Sequence, residues 1–181
     1  MSTAFTHALV GAALAHAAPA ELRSRRLLGS ALLLAVLSDL DVIAFSFGIP
    51  YGDPLGHRGA THSLPFAAAA GLLAALLAFG GLGRFSRRWW GVAALLAGIT
   101  ASHGLLDAAT DAGLGVGFWI PFDDARYFLP WRPLATSPLG IGAFFEARSL
   151  AILANEFVWV WLPLGFALLV LRARRRAQRV W

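Results

Sequence analysis

The sequence predicts an all-α membrane protein: a polytopic bundle of four to five helices with an irregular, aromatic-rich extracytoplasmic segment, forming one domain over residues 1–181. Three observations predict it. Hydrophobic residues make up 58% of the 181, and mean hydropathy is +0.66. Charged residues make up only 14%, against about 25% in an ordinary soluble domain, which excludes disorder and argues against a soluble enzyme. All 15 basic residues are Arg, and 11 of them cluster in alternate connections between apolar stretches or after the last. Cysteine is absent, so a disulfide framework, a thiolate metal site and a cysteine nucleophile are excluded. A metal would need His, carboxylate or backbone oxygen.

A spanning helix needs about 20 mostly apolar residues. Residues 4–20 come first, at the short limit, and no basic residue precedes them, unlike a secretory signal. Residues 27–49, 64–82, 89–109 and 150–171 meet the length. Arg23, Arg25 and Arg26 lie between the first and second stretches, and Arg84, Arg87 and Arg88 between the third and fourth. Arg172, Arg174, Arg175, Arg176 and Arg179 follow the last. Arginine beside spans marks the cytoplasmic face, so the N-terminus, residues 50–63 and residues 110–149 are expected on the other, non-cytoplasmic side. The net charge of +5 then reflects contact with anionic lipid heads. Nucleic acid is not an expected partner, because these arginines do not interleave with stacking aromatics on one surface.

Residues 110–149 carry Phe118, Trp119, Phe122, Tyr127, Phe128, Trp131, Phe144 and Phe145, broken by Pro121, Pro130, Pro133 and Pro138. The prolines argue against a long helix. The aromatics suit the bilayer interface, as a depth-setting belt or as the rim of a lipid-contacting site.

Ionisable groups inside apolar spans are costly and usually functional or paired. At 1.5 Å per residue, His7, Asp39, Asp41, His57, His62, His103 and Asp107 all fall at one depth, on the side away from the arginine clusters. His103 and Asp107, four residues apart, share a helix face. They could bind one divalent ion, or simply hydrogen-bond each other. Asp39 and Asp41 point about 200° apart on an ideal helix, so both face one site only if the helix is broken. His57-Arg58-Gly59-Ala60-Thr61-His62-Ser63 is dense in chemistry, and Ser63-Leu64-Pro65 reads as a helix start. Arg58 near that start would favour an anion such as phosphate. Asp111 continues the His103 face if the helix persists. His16 reads as structural, and Glu156 as a partner of Arg148 or Arg126. A serine-hydrolase elbow, a P-loop and a His-Glu-x-x-His are absent.

Thr6-His7 with Gly11, Ser38-Asp39-Leu40-Asp41, His57-Arg58-Gly59-x-Thr61-His62-Ser63 and His103-x-x-x-Asp107 occur in that order. In these blocks the chain resembles the YdjM-like family of bacterial inner-membrane proteins, described as LexA-regulated and metal-dependent hydrolases. The family's acidic block usually reads Pro-Asp-x-Asp, and here Ser38 stands in place of Pro. The resemblance implies a metal site more firmly than a reaction, and a place in a bacterial inner membrane with the site on the periplasmic side.

Together these readings predict one or two divalent metals, zinc first, held by His7, Asp39, Asp41, His57, His62, His103 and Asp107. The expected reaction is attack of metal-activated water on an ester or phosphoester. Arg58 would hold an anionic group, and Asp39 or Asp111 would act as general base. A lipid or a small molecule is the expected substrate, lipid first, with membrane lipids as partners. The alternative is a non-enzymatic protein that transports or senses metal or protons.

Overall fold

Thr3, Ser24, Ser63 and Ser86 each begin a helix by accepting a hydrogen bond from a backbone N–H in the first turn, those of Thr6, Leu27, Phe66 and Trp89. Such caps satisfy donors the helix cannot pair itself. They start α1 (Ala4–Ala17), α2 (Arg25–Leu37), α3 (Leu64–Ala78) and α4 (Arg87–Ala108). The fifth rod is α5 (Arg148–Glu156), one π turn (Phe157–Trp161) and α6 (Leu162–Ala177). The computed structural model describes residues 1–139 and 148–178; Phe144, Phe145 and Arg179 lie outside them. No strand occurs among the described residues, only the isolated bridges Thr110–Leu134 and Val116–Tyr127.

Three helical runs are long and apolar enough to cross a membrane: Arg25–Phe47, Arg87–Ala108 and Arg148–Ala177. The first α-helix has 14 residues and α3 has 15. The expectation that residues 64–82 meet spanning length is therefore corrected. Phe79 leaves helical geometry at φ −126° and ψ 23°, and Gly80, Gly81 and Gly83 follow, residues that lose most entropy in a helix.

The central rod is α4, which touches α1, α2 and α3. Its Trp89, Val92, Leu96 and Ile99 are fully buried, and Trp89 Nε1 donates to the Ala75 carbonyl of α3 at 3.1 Å. Gly71 lets the two backbones meet: a Cβ there would sit 2.4 Å from Ala97 N and 2.7 Å from Ala93 O. Lipid tails are as apolar as leucine, so close backbone approach holds such helices together. The outer faces show Leu33, Leu73, Leu77, Phe166 and Leu169, the surface a bilayer would solvate.

Beyond Leu37 the second rod tightens into ten residues of 3-10 helix, Ser38–Phe47, ended by Gly48 at φ 76°. Runs beyond three or four residues are uncommon and often functional. Alternating rod directions bring the starts of α1 and α3 to the same end as this 3-10 segment and the end of α4.

Candidate metal centre

The 3-10 winding answers the problem that Asp39 and Asp41 pose on an ideal helix. Three residues per turn rotate them about 240° apart, so their directions differ by about 120° instead of 160°. Ser38, standing where the family pattern has Pro, donates through Oγ to the Thr61 carbonyl at 2.8 Å and ties this segment to the His62 turn.

Asp39, His62, His103 and Asp107 each offer one ligand atom, all within 4.8 Å of one another. Asp39 Oδ1 lies 3.2 Å from His103 Nε2 and 3.9 Å from His62 Nε2. His62 Nε2 lies 3.5 Å from Asp107 Oδ2. Four atoms around a tetrahedral Zn²⁺ at 2.0–2.2 Å stand roughly 3.3 Å apart, so the observed separations bracket that spacing. Only Asp39 reaches the surface, with its side chain 12% exposed.

The tautomers point the same way. His103 Nδ1 lies 2.7 Å from the Ala35 carbonyl, in the last turn of α2. A carbonyl only accepts, so Nδ1 carries the proton and a neutral ring turns its Nε2 lone pair toward the Asp39 carboxylate. Two acceptors facing each other at 3.2 Å need a proton or a cation between them. His62 Nε2, Asp39 Oδ2 and Asp107 Oδ2 are likewise buried without a hydrogen-bond partner. Charge agrees: Asp39, Asp41 and Asp107 outnumber Arg58 in this buried cluster, and buried carboxylates demand compensation, which a proton on His62 or a divalent cation can supply. The donor set of imidazole and carboxylate suits zinc among other divalent metals.

A second grouping, Asp41, His57 and His62, shares His62. Asp41 Oδ1 lies 2.7 Å from His57 Nδ1. Asp41 Oδ2 accepts from Thr61 Oγ1 at 2.7 Å and from Arg58 N at 3.2 Å, and lies 3.1 Å from His62 Nδ1. Asp41 thus sits behind two imidazoles and orients both, leaving His57 Nε2 and His62 Nε2 without a hydrogen-bond partner. His62 lies outside the spans. Burial, the largest influence, disfavours its imidazolium, but Asp107 and Asp41 outweigh it and raise its pKa to about 9.

The remaining expected residues are placed as follows. His7 belongs to neither grouping. Its ring stacks on His103 at 3.5 Å, and Nε2 lies 2.8 Å from Ser2 Oγ and 3.4 Å from Asp107 Oδ1. It backs the centre. Arg58 is fully buried in the left-handed region, φ 61°, a conformation that costs a non-glycine residue on the order of 1 kcal/mol. Its Nε lies 3.3 Å from Asp107 Oδ2, and its other nitrogens donate to the Ala112 carbonyl and Thr110 Oγ1. It neutralises Asp107 and presents no free face to an anion. Asp111 lies beyond the end of α4, exposed, accepting from Thr136 N and Oγ1 at 2.9 and 2.7 Å. That contact holds its pKa below the ordinary value.

Glu156 pairs with neither Arg148 nor Arg126. It accepts from Thr3 N, Thr3 Oγ1 and Thr6 Oγ1 and fastens the start of α1 to the last rod. Arg126 instead donates to the carbonyls of Tyr51, Asp53 and His57. Sequence reasoning assigned no role to Ser2 or Thr110, which nothing in their surroundings signals. Thr61 was signalled only as part of its dense seven-residue block.

The YdjM inner membrane protein family matches this chain over residues 1–179. The chain is similar to inner membrane protein YbcI of Escherichia coli (strain K12), 35% identical over 181 residues, covering 97% of this chain and 100% of the relative. No solved structure matches.

Proposed function

The chain belongs to the YdjM inner membrane protein family, and on that premise we propose that it is a membrane-embedded, metal-dependent hydrolase of an ester or phosphoester, lipid-linked by its location. The observation that carries this reading is the convergence of Asp39, His62, His103 and Asp107, each offering a ligand atom within 4.8 Å of the others, with His103 fixed through Nδ1 by the Ala35 carbonyl so that Nε2 faces Asp39 at 3.2 Å. Asp39, His62, His103 and Asp107 would hold one divalent ion, zinc first. Bound there, the metal would lower the pKa of water and polarise a substrate oxygen.

The chain's own groups complete the chemistry. Asp39 would offer Oδ1 to the metal, while its Oδ2, buried without a hydrogen-bond partner, would accept the proton of an attacking water. Asp41 holds His62 through Nδ1, Arg58 holds Asp107, and His7 packs the back of His103; all three act by orientation. Burial of the other ligands excludes bulk water and strengthens each electrostatic contact. The arginine clusters at the opposite end support a periplasmic orientation for the centre. Ligands gathered at one end, instead of strung through the bundle, favour hydrolysis over a conduction path.

The test is metal analysis of the purified protein, followed by phospholipid hydrolysis with and without chelator. Expected are a retained divalent ion, and turnover lost on chelation and restored by metal. A protein that binds no divalent ion, or turnover indifferent to chelator, overturns the proposal. His103→Gln that keeps its helical content but loses metal separates a site from polar groups that merely join helices.

A further inference from the structure

At the end of the bundle away from the His/Asp cluster, a cavity of about 470 Å³ opens between the end of α1 and the end of α6. His16, Arg23, Arg172, Arg175 and Arg176 line it together with Leu168 and Leu171, and none of the lining residues is acidic. Arg175 is already engaged: it donates to the carbonyls of His16, Ala17 and Ala18, closing the C-terminal end of α1. Arg23 is not. Its Nε is buried and has no hydrogen-bond partner, and a guanidinium nitrogen out of water without an acceptor is a cost the fold carries for some reason.

A second hollow, about 360 Å³, shares His16 and Leu168 with the first. It runs along the seam between α1 and the last rod, against Leu9, Ala12, Ala13, Trp161 and Leu164. The two hollows form one amphipathic surface, a cationic mouth on an apolar trough.

We propose that this seam binds one anionic phospholipid, with its phosphate at Arg23, Arg172 and Arg176 and an acyl chain along the trough. The charges of the mouth select an anion, and guanidinium matches phosphate with parallel N–H donors. The trough demands a hydrocarbon chain attached to that anion. The mouth lies where arginines flank spans, at the level of the headgroups, and the trough runs from it along the hydrocarbon. The site is separate from the metal centre and does not depend on it.

Native mass spectrometry of the full chain, released from detergent with added phosphatidylglycerol or phosphatidylcholine, tests the proposal. Phosphatidylglycerol is expected as a one-to-one adduct that phosphatidylcholine does not match. Each arginine facing an anionic head contributes about fivefold, so Arg172→Gln with Arg176→Gln should weaken the adduct roughly 25-fold, and Arg23→Gln with Arg172→Gln at least as much. The double variant at 172 and 176 leaves Arg23, with its buried Nε, intact and so guards against a folding defect. Arg87→Gln with Arg88→Gln removes the same charge from exposed positions at the same end and should change nothing. Equal losses in all three variants would mean diffuse surface charge and overturn the site. Displacement by glycerophosphoglycerol at the same concentration as the intact lipid would mean a free-phosphate site and overturn it equally. So would equal binding of phosphatidylcholine.

Discussion

Asp41→Asn changes one charge and almost no volume, and it separates a ligand from the group that orients a ligand. Asp41 faces four groups able to donate: His57 Nδ1 and Thr61 Oγ1 at 2.7 Å, His62 Nδ1 at 3.1 Å and Arg58 N at 3.2 Å. A carboxylate accepts from all of them. An amide must turn its nitrogen toward at least one donor, leaving a buried group unsatisfied at about 1–3 kcal/mol. His62 also loses the anion that keeps the proton on Nδ1 and frees Nε2 for a metal. Losing such a partner typically weakens metal affinity 10–100-fold, or about 1.4–2.7 kcal/mol at 1.36 kcal/mol per tenfold. A direct ligand does more, so His103→Gln should abolish tight binding. The assay is competition for zinc against a chromophoric chelator, using purified wild type, Asp41→Asn and His103→Gln, with circular dichroism to check helix content. Affinity of Asp41→Asn within twofold of wild type would refute the orienting role. A loss as complete as that of His103→Gln would make Asp41 a ligand. A fall from two bound ions to one would give the Asp41–His57–His62 group an ion of its own.

Further predictions follow from single contacts. A Cβ on Gly104 would stand 2.8 Å from the His62 carbonyl and 3.3 Å from Phe118; Gly104→Ala should therefore push α4 off the His62 turn, costing about 1–3 kcal/mol in a denaturant or SDS titration and weakening metal binding although no ligand is touched. With His62 raised from 6.5 to about 9, its protonation stabilises the metal-free protein fully below pH 6.5, and that contribution is lost as pH rises through about 9. Because metal must displace this proton, zinc affinity should climb through the same window and level off above it, as read by the same competition at a series of pH values. Asp111→Asn touches only an exposed contact with Thr136 and should leave metal content and turnover unchanged; a loss of turnover with metal retained would return Asp111 to the chemistry.

The convergence of the polar residues was legible because it needs only span lengths and arginine positions. His62, His103, Asp107 and Asp39 come from three separate segments of the chain, yet 1.5 Å per residue puts them at one depth. What depth alone could not give is rank within the cluster. His7 and His103 look alike as histidines near helix ends, but only His103 faces the Asp39 carboxylate, because the Ala35 carbonyl fixes its ring. Arg58 looked like an anion holder because its neighbours in sequence form a helix start. Its left-handed backbone turns the side chain inward to Asp107 instead. Asp111 failed to continue the His103 face because α4 stops at Ala108. The 3-10 segment was hidden too: Ser38–Phe47 is apolar enough to read as more of the same span, and its tie from Ser38 to Thr61 is a tertiary contact.

The short helices explain why a polar centre can exist here at all. At 1.5 Å per residue the first and third helices measure about 21 and 22 Å, against a hydrocarbon core of about 30 Å. Each starts at the His/Asp end, so the missing length can be made up there by irregular chain, residues 48–63 and 110–138. Non-helical backbone at membrane depth is tolerated only where protein covers it and its polar groups are paired. Here they are: Leu64 N donates to the Phe118 carbonyl, Gly117 N to that of Arg58, Val116 and Tyr127 exchange both bonds, and Leu134 N donates to the Ala109 carbonyl. This covered irregular chain carries the His57–Ser63 turn and its ties to Asp41 and Asp107, and it leaves Asp39, on the tightened end of the second rod, as the centre's point of contact with the outside.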